Sequence, residues 1–174
     1  GTDEDLRPKY TGAEPLKYEI VACNRCGYAV AARDFSMLAS AQKKLLTEKI
    51  GSKYTGLKYT GETYTYEEAL ARYKLALLCG VVKMAKASEK AYVCLKAGWL
   101  VRSYVEDLKK GAHSESTNLE DIALDGKINQ LEVIEDDFLR KAYEGYLHAL
   151  EQEAFPISGM DEYTVKYLLA ALAK

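Results

Sequence analysis

Two cysteines stand in the run Ala22-Cys23-Asn24-Arg25-Cys26-Gly27, and this Cys-x-x-Cys-Gly turn is the strongest chemical signal in the 174-residue sequence. A turn of this kind holds two thiolates with its own amides, whereas a structural zinc ion takes four ligands in a tetrahedron. Cys23 and Cys26 therefore read as half of a zinc site. Empty thiols, a local disulfide, or a site shared by two chains of a homodimer across a two-fold axis are the other readings. A redox dithiol also stays open, although that motif ordinarily opens a helix in a βαβ context, which this sequence lacks.

The remaining candidates are weaker. His113 and His148 are the only histidines, and neither has a sequence partner that would make it a ligand or a base. Cys79 and Cys94 fall inside helical patterns and read as small buried apolar residues. Glu132, Glu135, Asp136 and Asp137 lack the accompanying Glu-x-x-His of a carboxylate metal site and read as a solvated helix start. No glycine-rich phosphate loop, nucleophile elbow or His-Glu-x-x-His motif occurs.

With 24 basic and 26 acidic side chains the formal charge is -2, which gives phosphate backbones no global attraction. No apolar run reaches the roughly 20 residues of a membrane span, and the opening Gly1-Thr2-Asp3-Glu4-Asp5 is unlike a signal peptide. A soluble, cytoplasmic protein is expected. The polar, proline-marked lead-in from Asp3 to Leu16 has no recognisable start, so a longer natural protein is expected too.

The cysteines must be carried by a hairpin, because Lys17 to Val30 places β-branched and aromatic residues on both sides of the turn. A helix is predicted from Asp34, as its cap, to Ile50, where Gly51 ends it. Lys53-Tyr54-Thr55-Gly56 and Lys58-Tyr59-Thr60-Gly61 share their letters with Lys9-Tyr10-Thr11-Gly12 and read as glycine-punctuated loops. Thr65 and Glu68 form a capping box opening a second helix that runs to Ala87. Ser88 and Glu89 then cap a third, which ends at Lys109, Lys110 and Gly111; the two make a helix hairpin. Residues 111 to 130 read as a mobile polar insertion with a short turn at Leu119 to Leu124. A fourth helix is predicted from Leu131 to Glu153. The last, Asp161 to Ala173, would turn Tyr163, Tyr167, Leu168, Ala171 and Leu172 inward. The whole is mainly α: an N-terminal knuckle unit, residues 1–33, followed by a helical unit, residues 34–174.

Ala69, Tyr73 and Ala76 repeat the spacing of Ala142, Tyr146 and Ala149, with Leu77 and Leu150 following each. Small residues flanking a ring let a neighbouring helix come close, as in tetratricopeptide-type pairs, although ordinary bundle packing produces the same pattern. The run from Pro15 to Ala29, with Tyr73-Lys74-Leu75-Ala76-Leu77, Ala97-Gly98-Trp99-Leu100-Val101-Arg102 and Phe138-Leu139-Arg140-Lys141-Ala142-Tyr143, resembles the bacterial family called domain of unknown function 2225. That resemblance covers nearly the whole chain. It implies a split zinc-ribbon segment, with a further Cys-x-x-Cys pair upstream of Gly1, followed by tetratricopeptide-like helices. Asn24 departs from the family's usual proline after the first knuckle cysteine.

Fourteen tyrosines against three phenylalanines favour half-exposed grooves, where a ring packs and its hydroxyl stays wet. The expected function is a scaffold that binds a protein or peptide, through a concave face holding Tyr73, Lys74, Trp99, Arg102 and Tyr146 and suited to an acidic chain end. The alternatives are a nucleic-acid-associated zinc-ribbon protein, supported only by Arg25 and Arg33, and an enzyme without a recognisable motif.

Overall fold

Local capping sets out much of the architecture. In the computed structural model, which describes residues 1–112 and 118–174, the Thr65 hydroxyl accepts the Glu68 amide at 3.1 Å and the Glu68 carboxylate accepts the Thr65 amide at 3.0 Å. This reciprocal cap opens helix α2 (Tyr66–Val82) at the expected residue. Asp161 likewise caps α5 (Glu162–Leu172) by accepting the Thr164 amide at 2.8 Å. Between them run α3 (Ala87–Gly111) and α4 (Asn118–Gln152). The molecule is mainly helical, with a two-stranded antiparallel hairpin of β1 (Ile20–Ala22) and β2 (Ala29–Ala31) near its N-terminus. Ile20 pairs with Ala31, and Ala22 with Ala29.

Several boundaries differ from those expected. The first helix, α1, spans Ser40–Lys49 rather than starting at Asp34. Asp34 ends a short 3-10 turn, and the Ala39 amide finds its acceptor in the Gln42 side chain at 3.0 Å, so the cap lies five residues further on. Helix α2 stops at Val82 instead of Ala87. The Ala85 amide returns to the Gly80 carbonyl at 2.9 Å with Met84 in the left-handed region at φ 54°, which closes the helix before its apolar stripe runs out. Ser88 does not cap α3 with its own hydroxyl. Its amide and hydroxyl instead donate to the Glu153 carboxylate, at 3.0 and 2.5 Å, so the end of α4 caps the start of α3. That contact also makes the two helices antiparallel.

Of the expected polar insertion, residues 113–117 lie outside the described residues and 118–130 are helix, since α4 begins at Asn118, and Ile128 and Leu131 are already buried. Leu119 and Ile122 project into solvent, which is why this stretch showed no core-facing period. On α5 the inward face is Val165, Leu168 and Leu169, while Tyr163 and Tyr167 are exposed. The predicted face was rotated by nearly a third of a turn.

The main apolar core joins the N-terminal hairpin to α2, α3, α4 and α5, while Leu46 of α1 and Ile50 just after it form a small second cluster with Cys79. Leu16, Ile20, Ala29 and Ala31 from the N-terminal segment pack with Tyr73, Trp99, Phe138, Tyr146 and Leu168 from the helices. Ala69, Ala76, Ala142 and Ala149 are buried beside the two rings. Close approach of α3 and α4 depends on two glycines, since a Cβ on Gly145 would stand 2.8 Å from the Ala91 Cβ and one on Gly98 would stand 2.6 Å from a Leu139 methyl. Among the described residues no helix is long and apolar enough to cross a membrane.

Candidate metal half-site

The hairpin ladder continues into the knuckle. The Cys23 amide donates to the Tyr28 carbonyl at 2.8 Å, and the Gly27 amide donates back to the Cys23 carbonyl at 3.0 Å. Gly27 takes φ 73°, a left-handed conformation, and the Tyr54 ring lies so near that a Cβ there would sit 2.4 Å from it. Glycine is therefore required twice over at this position. The knuckle's footing comes from α2: the buried Cys79 thiol accepts the Ala29 amide at 3.5 Å and donates to the Gly27 carbonyl at 3.6 Å. Beside it the Lys83 ammonium donates to the Tyr28 hydroxyl at 3.1 Å and pairs with Glu89 at 2.6 Å.

Both knuckle thiols are exposed. The nearby Cys26 and Arg25 amides, then the Cys26 thiol, hold the Cys23 thiol pKa below the ordinary cysteine value, with the Arg25 charge adding to the effect. Thiolate is the form a metal takes, and amide-braced sulfur is what a tetrahedral thiolate site requires. The donor set fits zinc as two of its four ligands. Among the described residues no group of three or more His, Cys, Asp or Glu side chains is placed so that it could hold a metal ion. Cys79, under the knuckle, has its thiol pKa raised by burial, and for Cys94 burial pushes it up to about 11. No local pattern announces that Cys79 braces the turn, since that role rests on a contact across 50 residues.

The family model for DUF2225, described as an uncharacterized protein conserved in bacteria, matches residues 1–174. The chain belongs to the DUF2225 family. No curated protein and no solved structure matches it.

In this DUF2225 chain the residues predicted to line a partner groove are scattered in depth. Tyr73 is buried and donates its hydroxyl to the Leu16 carbonyl at 2.7 Å. Tyr146 is buried with its hydroxyl toward Ser158 at 3.3 Å, and Trp99 is buried with its indole N–H on the Asp5 carboxylate at 3.0 Å. These three rings fill the core and form no surface, because the small residues beside them draw neighbouring helices over them. Lys74 is exposed on α2.

Arg102 is half-buried and already saturated. Its guanidinium contacts Asp3 at 3.2 Å, Asp5 at 2.9 Å and Glu135 at 2.6 Å. Burial opposes the charge, but the bonds to Asp5 and Glu135 outweigh it and raise the Arg102 pKa above the ordinary arginine value. The acidic segment expected to come from a partner is thus the chain's own N-terminus. Arg7, also buried, extends the network to Ser103 at 2.9 Å and Glu106 at 2.5 Å. Glu135, placed in sequence within a solvated acidic start, belongs to this network; His148 is exposed on α4, and His113 lies outside the described residues.

Proposed function

We propose that the chain is a helical scaffold that binds a protein or peptide, and that its knuckle supplies half of a structural zinc site. The observation that carries the reading is the solvent-facing thiol pair at Cys23 and Cys26, held in a hydrogen-bonded turn that is footed on α2 by Cys79. Preformed turns of this type lower the ordering cost of metal binding, and the two remaining thiolates come from another chain segment or a second copy. The successive antiparallel pairs α2–α3 and α3–α4 support a tetratricopeptide-like plan, in which helix hairpins present a surface to an extended partner.

Cobalt titration tests the metal half of the reading. Thiolate-to-cobalt charge-transfer bands should appear and should vanish in Cys23→Ser and Cys26→Ser. One metal per chain identifies ligands within the same chain; one per two chains identifies a second copy. No thiolate band, or bands that survive both substitutions, would refute the assignment.

A further inference from the structure

At the foot of the knuckle lies a small pocket of about 240 Å³, lined by Asn24, Tyr54, Leu57, Tyr59, Tyr64 and Arg72. The two Lys-Tyr-Thr-Gly runs each contribute their tyrosine to it. Arg72 forms its floor and is only 4% exposed. A cation so deeply placed ordinarily has a carboxylate beside it. Glu68, one turn earlier on α2, is the natural candidate, but its two oxygens are taken by the Thr60 hydroxyl at 2.6 Å and the Thr65 amide at 3.0 Å. Arg72 instead uses Nη1 alone, donating to the Glu68 carbonyl at 2.8 Å and the Lys58 carbonyl at 3.5 Å, with its guanidinium carbon 3.9 Å from the centre of the Tyr64 ring.

Nε and Nη2 form the side-on edge that grips a carboxylate with two parallel bonds. Neither makes a hydrogen bond among the described residues, and neither is sealed from solvent, since the one fully enclosed side-chain N or O atom without a partner among them is the Tyr54 hydroxyl. A guanidinium edge backed by an aromatic ring, lining a pocket and left without a partner, is an arrangement for an oxyanion. The pocket is smaller than the roughly 300–1,000 Å³ of sites that enclose drug-sized ligands, so it suits one side chain or chain end. A single cation matches the single charge of a carboxylate better than a phosphate dianion.

We propose that this pocket is a carboxylate-binding site that receives an Asp or Glu side chain, or a terminal carboxylate, of an acidic peptide. The proposal rests on the peptide-binding half of the function above and names the chemistry recognised.

The test follows the Arg72 Nε–H resonance of the ¹⁵N-labelled 174-residue chain, assigned by its loss in Arg72→Lys. Four probes are titrated: acetyl-Gly-Glu-Gly-amide, acetyl-Gly-Gln-Gly-amide, acetyl-Gly-Gln-Gly with a free carboxylate, and inorganic phosphate. A saturable shift with the Glu peptide and none with its Gln amide supports a side-chain ligand; a shift with the free-carboxylate peptide supports a chain terminus. Read from the backbone amide shifts of Tyr59 and Tyr64 in the pocket wall, which the substitution leaves in place, Arg72→Lys should weaken either interaction by about tenfold or more, because the fork geometry is lost. Should that variant misfold, Tyr59→Ala alters an exposed wall and should weaken binding by about two- to tenfold. A shift with phosphate alone, or no shift with any probe, overturns the proposal. A silent Arg72 beside intact cobalt bands sinks only the pocket; absent bands beside a responsive Arg72 sink only the metal assignment.

Discussion

Replacing Asp3 by asparagine removes one charge from the network that anchors the N-terminal segment to α3 and α4. Burial acts against the Asp3 carboxylate, but hydrogen bonds from Lys9, Arg7 and Arg102 prevail and lower its pKa from 3.8 to about 2. At 1.36 kcal/mol per pH unit this difference amounts to about 2 kcal/mol of folding stability. The side chain is 18% exposed, so solvent screening trims the figure only modestly. The folded-state pKa is depressed, so the stabilisation is fully present above about pH 4 and is lost as pH falls toward 2. Urea unfolding of wild type and Asp3→Asn at neutral pH should differ by about 2 kcal/mol, equivalent to roughly 4–8 °C in Tm. The gap should close progressively from pH 4 downward. Glu4→Gln is the control, since among the described residues Glu4 pairs with Lys174 alone, at an exposed site, and its loss should leave stability almost unchanged. A gap independent of pH, or one below about 0.5 kcal/mol at neutrality, would refute the docking of this segment and free Arg102 for a partner.

Two further outcomes probe the packing and the thiols. Gly145→Ala should destabilise by about 1–3 kcal/mol because Ala91 leaves no room, whereas Gly126→Ala, in an open part of the same helix, should stabilise by about 0.5–1 kcal/mol; chemical denaturation reads both, and equal signs would contradict the close approach of α3 and α4. Alkylation by iodoacetamide, mapped by mass spectrometry, should modify Cys23 and Cys26 in the native protein, with Cys23 reacting at lower pH than an ordinary cysteine. Cys79 and Cys94 should react only on unfolding, and rapid labelling of Cys79 would rule out its bracing of the knuckle.

Features written within a few residues of one another were legible. The Thr65–Glu68 box, the Asp161 cap and the Cys-x-x-Cys-Gly turn each satisfy backbone groups locally, so residue type and spacing suffice to place them. The candidate partner set was less legible. Tyr73, Trp99 and Tyr146 carry polar tips that suggest a wet groove, yet each tip meets a buried acceptor supplied from elsewhere in the chain. Arg72 is illegible in the sequence for the opposite reason: nothing in its neighbourhood announces that Glu68 is engaged by Thr60 and Thr65, leaving a guanidinium edge open.

By itself, the order of residues determined a helix-rich chain with a thiol-tipped hairpin, because hydrophobic period, caps and turn glycines act over single turns of backbone. Tertiary structure alone decided which side chains face solvent, what caps the start of α3, and that the acidic N-terminal segment sits on Arg102. Those outcomes depend on contacts between residues 65 to 99 positions apart, as with Ser88 and Glu153 or Arg102 and Asp3. No local propensity encodes such contacts; they arise only when the packed core brings the partners within bonding distance.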